Sequence, residues 1–169
     1  QGKVALFATC YMNRNEPGPG EDLAAVFAHN GIPVTLAEKE RCCGMPKLEL
    51  GDLDSVREAK EANIPVLAKL VDAGWDLTAL VPSCVLMFKQ ELPLMFPDDP
   101  EVQKVKNAFY DPFEYLMLRN KEGKLKTDFK SPLGDWFMSG DISEVARYAR
   151  ECNIEWTVVS PLLGLLPRF

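Results

Sequence analysis

No apolar run in this chain of 169 residues approaches the ~20 residues a membrane-spanning helix needs; the longest, such as 77–81, have the length of a strand. A basic excess is missing as well. The 25 acidic side chains outnumber the 19 basic ones, for a net charge of −6, which argues against a non-specific nucleic-acid binder. Histidine is all but absent: His29 is the only one, so no histidine metal set can be built, and, far from a suitable nucleophile, it does not make a Ser/His/Asp triad. His29 is expected on the surface near a helix end. A disulfide scaffold is excluded in turn, because five cysteines are an odd and sparse set and no signal-peptide pattern precedes them. That usage fits a reducing, cytoplasmic compartment. C-x-x-C pairs, a ferredoxin-type cysteine run and G-x-G-x-x-G are all lacking.

What is present is ordinary globular composition, 47% hydrophobic and 26% charged, in a chain long enough for one domain or one and a half with a real core. The abrupt start at Gln1, which leads straight into a strand, suggests a piece cut from something longer. The apolar run 4–9 ends at Cys10 and predicts a buried parallel strand. A loop rich in Pro and Gly follows over 13–20, then a helix over 21–30 stopped by Gly31, then a strand over 32–36. This β-loop-α-β unit places Cys10 at the carboxyl end of a strand, where open α/β sheets bind their ligands. Asp52 is expected to cap a long helix reaching about residue 73, with Val56, Ala59, Asn63, Leu67, Leu70 and Val71 near one stripe and Pro65 kinking or dividing it. A strand over 77–81 then turns through Pro82-Ser83-Cys84 into a helix over 85–92. Helices are predicted at 101–108 and 112–120, a basic connector at 121–130, a helix at 142–152 and a strand at 154–159. The fold class is α/β, a small mainly parallel sheet flanked by helices.

The chemistry concentrates in Arg41-Cys42-Cys43-Gly44-Met45-Pro46, taken with Cys10 before it and Cys84 after it. Neighbouring side chains on an extended segment point to opposite sides. Both thiols can therefore serve one site only if the backbone curls, and Gly44 and Pro46 supply the curl. Thiolates are soft ligands suited to zinc and to iron–sulfur clusters, while free cysteines are also common small core residues; the residues alone leave both open. Cys152 reads as core packing on a helix face. Gly18-Pro19-Gly20 reads as a plain loop rather than an anion site, and Glu49, Asp52 and Asp54 as helix-start residues rather than catalytic acids. Arg41 and Lys47 flank the paired cysteines and could offset negative charge there.

Cys10, then Cys42-Cys43-Gly44-Met45-Pro46 with Gly51, then Pro82-Ser83-Cys84 with Met87, resembles the cysteine-rich CCG domain family. That family includes a subunit of heterodisulfide reductase, the glycolate oxidase iron–sulfur subunit, a lactate-utilisation protein and a subunit of anaerobic glycerol-3-phosphate dehydrogenase. The resemblance covers roughly residues 3–118. It implies a Rossmann-like unit, often present in tandem, whose cysteines bind an iron–sulfur centre or sometimes zinc. Carried over residue by residue, it implies Cys10, Cys42, Cys43 and Cys84 as ligands of a cluster, [4Fe–4S] ahead of zinc. The function implied is that of an electron-transfer subunit between a flavoprotein dehydrogenase and a quinone or other carrier, reaching the inner face of the membrane through those partners. The same four thiols could instead hold zinc in a structural or interaction module, or work as a thiol/disulfide redox protein.

Two departures stand out. The family's last cysteine position is Met87 here, which reads as core packing. The second repeat's cysteine segments are missing after Pro132-Leu133-Gly134. The expected organisation is a cysteine-rich domain at 1–120, followed at 121–169 by a connector and a degenerate or incomplete second repeat.

Overall fold

Strand β1 (Val4–Leu6) is apolar at every position because helices cover both of its faces. Val4 and Leu6 pack to one side, with Leu23, Phe27, Ile32 and Tyr115; Ala5 and Phe7 pack to the other, with Val56, Ile64, Leu67, Val102, Val105 and Phe109. This is the two-residue alternation of a strand with both faces buried. The computed structural model describes residues 2–38, 41–126 and 128, which lie almost entirely in a compact unit of residues 1–125. The helix expected at 142–152, the strand at 154–159, Cys152 and the expected second repeat lie outside the described residues.

In chain order the elements are β1, α1 (Cys10–Arg14), α2 (Gly18–His29), β2 (Val34–Leu36), α3 (Met45–Glu49), α4 (Leu53–Asp72) and β3 (Asp76–Thr78). Then come α5 (Pro82–Leu86), a π-helical turn at Met87–Glu91, α6 (Leu92–Met95), α7 (Pro100–Ala108), β4 (Phe109–Tyr110) and α8 (Pro112–Lys121). The four strands form one sheet in the order β2-β1-β3-β4, and every pair is parallel. The chain leaves β1 for one neighbour, β2, and then returns across to the other, β3. The carboxyl ends of β1 and β3 therefore flank the point where strand order reverses, the usual ligand crevice of an open α/β sheet.

The fold class agrees with the sequence reading, and several details differ from it. The 13–20 loop is mostly helical: α1 occupies 10–14, and α2 begins at Gly18, because Pro19 falls in the first turn, where a missing N–H costs nothing. Gly20 packs against Met12: a Cβ there would stand 2.0 Å from Met12 Cε, the end of a flexible side chain that would have to swing aside. Helix α4 is a single element through Pro65. Its start is as expected: Asp52 accepts from the Ser55 N–H and hydroxyl. The helix expected at 85–92 starts at Pro82 and widens into the π-helical turn just before Pro93, which has no N–H to continue the ordinary ladder. Strand β4 has no counterpart in the sequence reading; at two residues it is too short for a periodicity signal. His29 is the exposed last residue of α2, as expected.

Helices α4 and α7 are tied by two ion pairs, Lys60–Asp99 and Lys104–Asp72. Asp99 caps α7 by accepting from the Glu101 and Val102 N–H groups, and its other oxygen lies 2.5 Å from Lys60 Nζ on α4. These contacts hold the Asp99 carboxyl below its ordinary value, Lys60 contributing most. Asp99→Ala is expected to lower stability by about 1–2 kcal/mol in urea unfolding. The wild-type advantage should be complete above pH 3.8 and fade as acid passes the lowered value. An equal loss at every pH would contradict the assignment.

Candidate metal centre

Three separate segments bring four cysteines to the carboxyl edge of the sheet. The first leaves β1 through Thr9, whose φ of 61° and ψ of 155° lie where side chains rarely go and cost on the order of 1–3 kcal/mol. The buried Thr9 hydroxyl accepts from the Met12 N–H at 3.2 Å and so starts α1 with Cys10 as its first residue. The second segment carries Cys42 and Cys43 into α3. Gly44 caps that helix with φ 98°. A Cβ at 44 would meet Ala59, Met87 and Val56 at 3.4–3.8 Å, ordinary contact distances, so backbone conformation rather than space demands glycine. The third segment leaves β3, and Pro82 opens α5 so that Cys84 sits in its first turn.

The neighbouring thiols face different partners. Cys42 Sγ lies 3.9 Å from Cys10 Sγ on the exposed side, and Cys84 Sγ lies 3.2 Å from Cys43 Sγ in the core. The Cys84 thiol donates to Cys43, and the Met45 N–H adds a second donor; together they outweigh burial and bring Cys43 down to about 7. Cys84 moves the other way, because it donates a hydrogen bond to Cys43 and so holds its proton, is buried, and feels the charges of Cys43, Cys10 and Cys42. Burial is the main cause that raises Cys42, helped by Cys43 and Cys10. All four sulfurs form one electrostatic group. Beside Cys10 and Cys42 opens a cleft of about 530 Å³, edged by Arg14, Arg41, Lys47 and Glu58. Lys47 is held 3.3 Å from Asp52.

Among the described residues, no set of three or more His, Cys, Asp or Glu donors is already spaced round a single ion. The sulfurs stand as two pairs. Thiolates on one tetrahedral ion at about 2.3 Å lie ~3.8 Å apart. The Cys10–Cys42 distance is close to that, while Cys43 and Cys84 must separate to share a metal. Each iron of a [4Fe–4S] cluster takes one thiolate, which requires a wider spread still. The donor chemistry, four thiols with one already near its ionisation point, suits such a group, and the cleft supplies room on one side.

Residues 4–89, half of the chain, match the cysteine-rich domain family designated CCG. The chain belongs to the CCG family. Among curated proteins, the CCG chain is 33% identical over 92 residues to a subunit of the anaerobic glycerol-3-phosphate dehydrogenase of Escherichia coli, covering 54% of this chain and 23% of that protein. It is 32% identical over 119 residues to lactate utilization protein A of Bacillus cytotoxicus, covering 68% of this chain and 48% of that protein. The Bacillus thuringiensis lactate utilization protein A is 31% identical over the same length. The chain thus spans less than half the length of the relatives it matches. No solved structure matches it.

Met87, expected from the sequence as core packing, is fully buried, and its methyl packs toward Gly44 beneath the paired-cysteine turn. Asp54 lies in the first turn of α4 and pairs with Arg57, while Glu49 ends α3 rather than starting a helix. Asn63 falls on the apolar stripe expected for α4. It is buried there, but it bonds the backbone of Arg41 and Cys42, a role that helical spacing does not disclose. A lone carboxamide among apolar positions is the one signal of it in the sequence. No helix among the described residues is long and apolar enough to cross a membrane.

Proposed function

We propose that this CCG chain is an iron–sulfur-binding electron-transfer subunit, or a piece of one, in an oxidoreductase complex, with Cys10, Cys42, Cys43 and Cys84 as ligands of a [4Fe–4S] cluster. The observation that carries the reading is the meeting of these four thiols, from three distant segments, where strand order reverses. The bound group would supply one-electron transfer. The chain's own part is to present ionisable sulfurs, to shield the Cys43–Cys84 side from water, and to place Arg14, Arg41 and Lys47 near the open side, where they offset negative charge. A flavoprotein dehydrogenase as electron donor and a quinone or other carrier as acceptor are proposed from the relatives, one of which is named as a dehydrogenase subunit. Residues 1–120 are proposed as the cysteine-rich domain and 121–169 as a connector with a degenerate or incomplete second repeat.

The test is anaerobic iron and sulfide analysis of the full chain before and after reconstitution. About four irons and four sulfides per chain, with a brown colour, are expected. About one zinc per chain and no sulfide would replace the reading with a structural zinc site. The pairing of Cys43 with Cys84 and of Cys10 with Cys42 favours one further reading, reversible disulfide formation. It would be supported by a chain that takes up no metal and loses two thiols per disulfide to an added disulfide oxidant.

A further inference from the structure

We propose that Asn63 on α4 is the positioning residue of the cysteine site, its carboxamide clamping the backbone on both sides of Cys42 so that two adjacent thiols turn to two different partners. The proposal rests on the reading that the four cysteines serve one centre.

Asn63 is only 2% exposed, on a helix whose neighbouring buried side chains are Val56, Ile64 and Leu67. A carboxamide so placed must find hydrogen-bond partners, and it finds three in the cysteine loop. Its Oδ1 accepts from the Arg41 N–H at 2.8 Å. Its Nδ2 donates to the Arg41 carbonyl at 3.2 Å and to the Cys42 carbonyl at 3.1 Å. Those two carbonyls belong to the peptide planes before and after the Cys42 Cα. Holding both planes fixes the backbone torsions of Cys42, and the second plane sets the direction in which Cys43 leaves. Cys42 then faces Cys10 in the open, and Cys43 faces Cys84 in the core. The amide supplies to this turn what a neighbouring strand would supply to an extended segment. It also anchors the turn to the longest helix of the described residues, rather than to another loop.

Two variants of the full chain test this. Asn63→Leu keeps the branched shape of the side chain, in a somewhat larger form, and removes all three bonds. Asn63→Asp keeps the acceptor for the Arg41 N–H but turns a carboxylate oxygen toward two carbonyls. Ile64→Val, one residue along, is the control, since it thins the core without touching the loop. In the metal-free, reduced protein, alkylation resolved by mass spectrometry should show Cys43 protected relative to Cys42. Asn63→Leu should speed Cys43 labelling about tenfold, and Asn63→Asp at least as much. With cadmium alone as the probe, both variants should bind about tenfold more weakly or worse, with less thiolate-to-metal absorption per ion. Ile64→Val should match wild type on both readouts.

Wild-type labelling and cadmium absorption in Asn63→Leu would overturn the proposal. So would the same changes in Ile64→Val, or failure of both Asn63 variants to fold, since the amide would then serve the core as a whole. A wild-type chain that binds neither cadmium nor iron would refute the shared centre instead, while the labelling pattern would still judge Asn63.

Discussion

Cys43→Ser is expected to reduce anaerobic iron and sulfide incorporation to background under conditions that fill the wild-type chain. Cys43 is the buried member of the vicinal pair and the sulfur held most readily as a thiolate, at about 7, by the Cys84 thiol and the Met45 N–H. A serine hydroxyl keeps its proton in this range and is a hard donor, so three thiolates would remain for a centre that needs four. Cys152→Ser serves as the comparison and is expected to incorporate iron as wild type does. Uptake should also depend on pH in a defined direction. Below about 7 a proton competes with the metal at Cys43, and incorporation falls. Cys84 and Cys42 hold their protons above the ordinary 9.0, so metal binding must expel them and acidify a weakly buffered solution. For the metal-free fold the two buried sulfurs act in opposite senses. The lowered Cys43 contributes stability that is complete above 9.0 and lost as pH falls through about 7. The raised Cys84 contributes below 9.0 and loses its effect as pH rises beyond it. Unimpaired cluster content in Cys43→Ser would remove this residue from the ligand set.

Phe88→Ala is expected to be the most destabilising single change outside the cysteines, at about 3–5 kcal/mol. Phe88 sits in the π-helical turn, 1% exposed, edge-on to Phe7 at 5.0 Å and stacked on Phe109 at 4.9 Å. Phe7 follows β1 and Phe109 belongs to β4. One ring therefore fastens the helix that carries Cys84 to two strands of the sheet, and its loss removes two aromatic pairs as well as leaving a cavity. Against a typical domain stability of about 5–15 kcal/mol this is a large fraction. Urea unfolding of the reduced, metal-free chain should show the midpoint falling with little change in slope. A shift worth under about 1 kcal/mol would mean that the core closes round the gap, and that the ring does not fasten these elements.

The sheet and its helices could be read because their signals are local. Val4 to Leu6 is uniformly apolar, Asp52 announces α4, and Gly31 and Gly74 stop helices with positive φ. The meeting of Cys10, Cys42, Cys43 and Cys84 could be read as far as strand ends placed them. How they pair could not, since it depends on torsions in a turn that no periodicity describes. Short helices escaped for a related reason. In α1 and α3 the deciding features are Thr9 in an unusual conformation and Gly44 at φ 98°, neither visible as an apolar pattern. Asn63 was hidden by its position: helical spacing put it on the buried stripe correctly, but spacing does not say what a buried amide touches. Pro65 was expected to kink or divide α4, but α4 continues past it as one element.

The sequence distances between partner sulfurs, 32 residues for Cys10–Cys42 and 41 for Cys43–Cys84, bear on biogenesis. If these four sulfurs are the ligands, an unfolded chain would offer an incoming ion only the vicinal Cys42–Cys43 pair, and Cys10 and Cys84 would join once β1 and β3 lie side by side. Under the proposed ligand set, loading would follow folding, and iron would meet a finished cleft, entered from the edge where Cys10 is exposed and Cys42 half-buried.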